Sequence, residues 1–158
     1  MNNPLLLIVG IAVLAFSPLT LAGESVFIAR VDTVLALPNN HERCFGLCPP
    51  DLTCITNSCG CAEAVLTQLE QLLGTAPTSP VVISERIGEW CVLPTPPDTE
   101  LLVRQIDQAV TWGRLLPGLN GAEFEAEDFS VIGKIDISSL PADEGRVQLS
   151  ELRRRLGE

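Results

Sequence analysis

Five of the six cysteines, Cys44, Cys48, Cys54, Cys59 and Cys61, fall in the stretch RCFGLCPPDLTCITNSCGC, and Cys91 stands apart in GEWCVLP. Thiols at this density can ligate a metal, cycle between redox states or staple a loop with disulfides. Cys44-x3-Cys48 and Cys54-x4-Cys59 lie within loose zinc-ligand spacing, and His41 stands just before Cys44, but the tight C-x2-C knuckle is missing. A redox centre needs a thiol of lowered pKa, commonly in C-x-x-C, and the nearest approach here is Cys59-Gly60-Cys61. Which chemistry wins depends on the compartment the thiols enter.

The N-terminus addresses that question. MNNPLLLIVGIAVLAFSPLTLAGES carries an unbroken apolar run from Leu5 to Phe16, then Ser17-Pro18, then Thr20 and Ala22 as small residues at −3 and −1 of a cut after Ala22. That is the layout of a secretory signal peptide over 1–22, although Met1-Asn2-Asn3 lacks the usual basic residue. Glu24 stands where a lipoprotein box would need Cys, so no stable membrane anchor is expected after cleavage. The remaining chain, 23–158, is one domain's length, secreted or periplasmic.

Export drives thiols to disulfides. Cys44, Cys48, Cys54, Cys59 and Cys61 are an odd set, so if every thiol pairs, Cys91 reaches back to the cluster. Six cysteines allow fifteen connectivities, and sequence does not choose among them. Cys59 and Cys61 are too close to bond each other comfortably. The expectation is a disulfide-stapled, Cys-rich insertion at 41–61, with no metal and no cofactor. Phe45, Leu47, Pro49 and Pro50 are the candidate contact residues, because an apolar side chain on a stapled loop binds without a further ordering cost.

Catalytic groups are scarce. His41 is the only histidine and lies in a polar loop, there is no tyrosine, and no G-x-S-x-G elbow occurs. Glu123, Glu125, Glu127 and Asp128 alternate with Ala122, Phe124 and Ala126, which reads as the wet face of an edge strand rather than a calcium loop. Trp90, beside Cys91, is expected to pack on a disulfide, and Trp112 in the core. A formal charge of −10 opposes nucleic acid and anionic lipid surfaces. Arg153-Arg154-Arg155 reads as the last turn of a terminal helix, where the dipole favours cations.

The elements that must position these residues read mainly as strands. SVFIARVDTVLALP (25–38) alternates Phe27, Ala29, Val31, Leu35 and Leu37 against Arg30 and Asp32. PVVISER (80–86), ELLVRQI (100–106) and SVIGKIDISSL (130–140) are further strands, and Asn120-Gly121 sits at a hairpin position. AEAVLTQLEQLLG has apolar residues at 62, 65, 66, 69, 72 and 73, a helical spacing closed by Gly74. SELRRRLG (150–157) predicts a second helix with Ser150 as its N-cap.

VVISERIGEWCVLPTPPDTELLVR resembles the second half of netrin-like domains, the OB-fold barrels that include the tissue inhibitors of metalloproteinases. The resemblance is carried by Val81-Val82-Ile83, Gly88, Cys91, Pro94 to Asp98 and Leu101-Leu102-Val103. VFIARVDTV is similar to the opening strand of those domains, LLGTAP (72–77) to the segment before their next strand, and RVQLSELRRRL to endings of bacterial members. It implies an OB barrel in which AVLTQLEQLLG is a strand, against the helix its own spacing indicates. The zinc-chelating N-terminal Cys of the inhibitors has no counterpart, because the expected start is Gly23-Glu24-Ser25.

The fold class expected is therefore mainly β: a small antiparallel β-barrel (OB-like) with one or two helices and a disulfide-stapled loop. The function expected is a non-enzymatic binding module for an extracellular or envelope protein. A netrin-like proteinase inhibitor is the alternative, and a thiol-disulfide oxidoreductase using Cys59 and Cys61 a further one.

Overall fold

The computed structural model describes residues 23–38, 41–44, 59–87, 93 and 95–158. Its first part is five strands: β1 (Ser25–Leu37), β2 (Cys61–Leu73), β3 (Val81–Arg86), β4 (Glu100–Ile106) and β5 (Ala109–Arg114). They form one antiparallel sheet in the order β3-β2-β1-β4-β5. Three consecutive strands with a fourth returned beside the first is the Greek-key arrangement, and β5 adds a hairpin to it.

The alternation read at the N-terminus is real but doubled. Phe27, Ala29 and Val31 join Ala64, Leu66, Val81, Ile83, Leu101 and Val103 in one buried cluster. Val26, Ile28 and Leu102 enter a second cluster on the opposite face. Both faces of β1 are thus covered at its start, whereas Leu35, further along, is 58% exposed.

The second cluster is completed by the C-terminal part of the chain. Strands β6 (Leu116–Gly118), β7 (Gly121–Glu125), β10 (Ala142–Asp143) and β11 (Arg146–Gln148) make a sheet ordered β10-β11-β7-β6. The short hairpin β8 (Val131–Ile132) and β9 (Ile135–Asp136) and the helix α1 (Leu149–Leu156) pack with it. Phe124, Ile132, Ile137, Val147, Leu149 and Leu152 are buried there with Val26, Ile28 and Leu102. Phe124 meets Phe129 edge-to-face, with ring centroids 5.7 Å apart.

Several expectations need correction. Residues 62–73 are strand, which the resemblance implied, and not the helix their spacing indicates. Between Phe27↔Gln71 and Val26↔Leu73 the register skips Leu72, and between Ala29↔Gln68 and Ile28↔Glu70 it skips Leu69. Each skip is a β-bulge, which inserts one residue and breaks the period of two. Leucines at 66, 69 and 72 therefore imitate a helical spacing while lying on a paired strand. Gly74 does not cap a helix; it turns the chain at φ +73, with the Glu24 carbonyl only 2.1 Å from where a Cβ would stand.

The stretch 130–140 is not one strand. It is the β8–β9 hairpin, turning at Gly133 (φ +61), followed by a 3-10 turn, Ile137–Ser139, where Asp136 accepts from the Ser138 amide at 3.0 Å. The β6–β7 hairpin does form at Asn120, with Gly118 facing Gly121 across it. Strand β7 lies inside its sheet rather than at the edge. The terminal helix starts two residues early, so Gln148 occupies the cap position and Ser150 lies in the first turn.

The barrel is not closed by pairing among the described residues: β3 and β5 are the two edges of an open five-stranded sheet.

Candidate functional site at the disulfide-clamped end

Antiparallel strands alternate direction, so β1, β3 and β5 finish at the end where β2 and β4 begin. The Cys-rich segment leaves after β1 and returns into β2 at this end, where β3 also finishes and β4 begins. A 3-10 turn, Glu42–Cys44, follows Pro38, held by the His41 amide on the Pro38 carbonyl and the Cys44 amide on the His41 carbonyl, both at 2.9 Å. This turn brings Cys44 to the first residue of β2, where the Cys44–Cys61 disulfide closes a separation of 17 residues. Leu37 packs with the two cysteines in a cluster of its own, and both cysteines are fully buried.

Next to the bridge stands the end of β3. Cys61 pairs with Arg86 and Ala62 with Glu85. Arg86 donates from Nη2 to the Cys44 carbonyl at 3.4 Å, and the Ile87 amide donates to the Gly60 carbonyl at 3.2 Å. Val81 and Ile83 point into the cluster that holds Phe27, Val31 and Leu101, the inner cluster, so by the period of two Glu85 continues the same face. Its Oε1 accepts from the hydroxyl of Thr95, which is fully buried. Its Oε2 is buried with no partner among the described residues, as is Arg86 Nε.

Burial raises the pKa of Glu85, opposed by hydrogen bonds from the Thr95 hydroxyl and amide and by the positive charge of Arg114. The last contribution carries a geometric message. Arg114 ends β5 and pairs with Leu101, an inner-cluster residue, so it shares the inner face. Glu85 on one edge strand and Arg114 on the other therefore lie within electrostatic reach. A carboxyl of raised pKa at the mouth of a sheet, beside a cation, is a recurrent mark of a binding site. The sequence held a signal for it, since Val81, Ile83 and Glu85 are in phase and a Glu in phase with two buried aliphatics is out of character. Thr95 and Arg114 gave none.

Phe45, Leu47, Pro49 and Pro50 lie outside the described residues, as do Cys48, Cys54, Cys91 and Trp90. Cys44 and Cys61 are joined to each other, and Cys59 is disulfide-bonded as well. Trp112 packs, partly buried, against the inner cluster. The acidic run is dispersed: Glu123 accepts from Gln148, and Glu125 pairs with Arg146 at 3.0 Å. Asp128 lies against Gly113, where any side chain would collide with its carboxyl, and burial followed by Glu125 and Glu127 raises its pKa. Among the described residues no group of three acidic, His or Cys side chains is placed to hold a metal, and no helix is long and apolar enough to cross a membrane.

Compared with known proteins, the chain matches no family model, no curated protein and no solved structure.

Proposed function

We propose that this chain is an exported, disulfide-stabilised, non-enzymatic binding module built on an OB-type, netrin-like barrel, and that it captures an extracellular or envelope protein through its clamped end. The observation that carries the reading is the coincidence of three features at one place. The Cys44–Cys61 bridge and the Glu85–Thr95 pair stand at the end from which the Cys-rich segment leaves, and the charge of Arg114 acts on the same Glu85 carboxyl from the other edge strand.

An OB fold is a five-stranded, partly open Greek-key barrel whose ligands meet the first interstrand loop, among others. Three observations support that shape here. The strand order is a Greek key plus one hairpin, and all five strands send side chains to one cluster, Val110 and Trp112 of β5 among them. The reach of Arg114 to Glu85 is that of two edges curling towards each other. The Cys-rich insertion at 41–61 is then the first interstrand loop, with Phe45, Leu47, Pro49 and Pro50 as contact residues and the disulfides lowering its ordering cost.

The test is to capture envelope proteins with the wild type and with the Phe45→Ala/Leu47→Ala variant, while melting both. The expected result is at least about tenfold weaker capture, the loss typical of a central apolar anchor, at an unchanged Tm. A fall in Tm with capture retained would place those side chains in the core and remove the reading.

A further inference from the structure

At the opposite end of the five-stranded sheet is a cleft of about 660 Å³ that the proposed capture site does not use. Its floor is aliphatic and comes from three elements: Leu73 at the end of β2, Ile135 on β9 and Leu156 in α1, each packed against the edge of the larger core. Its rim carries Glu24, Lys134, Arg155 and Glu158.

Most of that rim is already neutralised. Glu24 accepts from Arg104 at 2.6 Å and from the Gly133 amide at 2.8 Å. Arg155 pairs with Glu151 at 3.2 Å, and Glu158 with Arg154. Lys134 is different. It is the only lysine in the sequence, it is exposed at the tip of the β8–β9 hairpin, and it has no ion-pair partner among the described residues. The one uncommitted charge around the cleft is therefore positive, on a chain whose formal charge is −10.

We propose that this cleft binds a single-chain amphiphile with an anionic head, a long-chain fatty carboxylate, with the alkyl chain on Leu73, Ile135 and Leu156 and the carboxylate on Lys134. The volume falls inside the range of about 300–1,000 Å³ typical of small-molecule sites. An aliphatic floor rewards burial of an alkyl chain in proportion to its area and offers nothing to the hydroxyls of a sugar or the edges of a base. A single flexible ammonium suits one carboxylate better than a polyphosphate, which would call for several donors.

The test titrates a polyene fatty acid, fluorescent only when sheltered from water, into the purified oxidised protein below the micelle threshold. The expected outcome is saturable binding with micromolar Kd, reversed by palmitate, with affinity falling about two- to fourfold for each methylene removed from the competitor. Lys134→Gln weakens binding up to about fivefold, and Lys134→Glu further, because a carboxylate then faces a carboxylate. Since Lys134 is the only lysine, its acetylation can be followed by peptide mass, and palmitate slows it. No saturable signal up to about 100 μM, affinity unchanged in Lys134→Glu, or acetylation indifferent to palmitate would overturn the proposal. Binding to anionic vesicles without binding to the monomeric acid would overturn it too.

Discussion

The two ends of the five-stranded sheet are held by different means. At the end of the sheet where α1 packs, the chain is secured by apolar packing and ion pairs. Val26, Ile28 and Leu102 enter a core with Phe124, Ile132 and Leu152, Arg104 holds Glu24, and Arg153 holds Glu70 at 2.6 Å. Among the described residues, the apolar cluster at the other end is Leu37 with Cys44 and Cys61, and the neighbouring Glu85 and Arg86 keep buried polar atoms without partners. The Cys44–Cys61 disulfide ties that cluster together. Gln148 Oε1, at the cap of α1, is also buried without a partner among the described residues, so what sets the stapled end apart is that its unpartnered atoms belong to charged side chains, which a ligand can use.

Variants can break this contrast. The largest effect is expected at the packed end: Phe124→Ala removes a fully buried ring with an edge-to-face partner and should cost about 3–5 kcal/mol, read from denaturant unfolding. At the clamped end, replacing Cys44 and Cys61 together by Ser should cost about 3 kcal/mol by the chain-entropy relation for a loop of this size. The packed core should keep its near-ultraviolet circular dichroism in that variant. If the bridge variant lost as much as Phe124→Ala and lost its core signal with it, the two ends would not be separable.

The smallest effects come from protons, and they have opposite sign at the two ends. Burial raises the pKa of Glu85 above 4.5 in the folded chain, so the stability tied to its protonated form is fully present below 4.5 and is lost as pH rises through the folded value. Glu85→Gln should therefore be more stable than wild type at neutral pH, with the difference vanishing below pH 4.5. Hydrogen bonds from Arg154 and Arg155 lower the pKa of Glu151 in α1 to about 2, so its contribution is present above 4.5 and lost as pH falls towards 2. Glu151→Gln should be the less stable variant at neutral pH and match wild type near pH 2. Thermal melts of both variants across pH 2–8 check the signs; parallel profiles would contradict them.

How much was legible beforehand follows the same division. Strands at 25–37, 81–86 and 100–106 could be read because β-branched and aliphatic residues alternate or run together between turn residues. The terminal helix is legible to within two residues, as Leu152 and Leu156 share one face and the arginines fill its last turn. Strand β2 was hidden from periodicity, though the netrin-like resemblance implied a strand there, because bulges at Leu69 and Leu72 shift the alternation and periodicity alone does not register a bulge. The hairpin at 131–136 was hidden too, since Gly133-Lys134 lies inside what reads as continuous alternation. Of the site, the cysteines were visible as a group, but the Cys44–Cys61 partnership depends on a 3-10 turn that no spacing rule encodes. Arg114 comes near Glu85 through the course of the whole sheet, a relation of two strands far apart in sequence.

The central claim is that the clamped end stands on its disulfide while the rest of the fold stands on its core. Amide hydrogen exchange on the Cys44→Ser/Cys61→Ser variant tests it most directly, because it reads each end separately. The account predicts faster exchange at residues 61–64 and 83–86, with protection kept at 101–103, 124 and 147. Uniform loss of protection over the whole chain, or no change at 61–64, would contradict it.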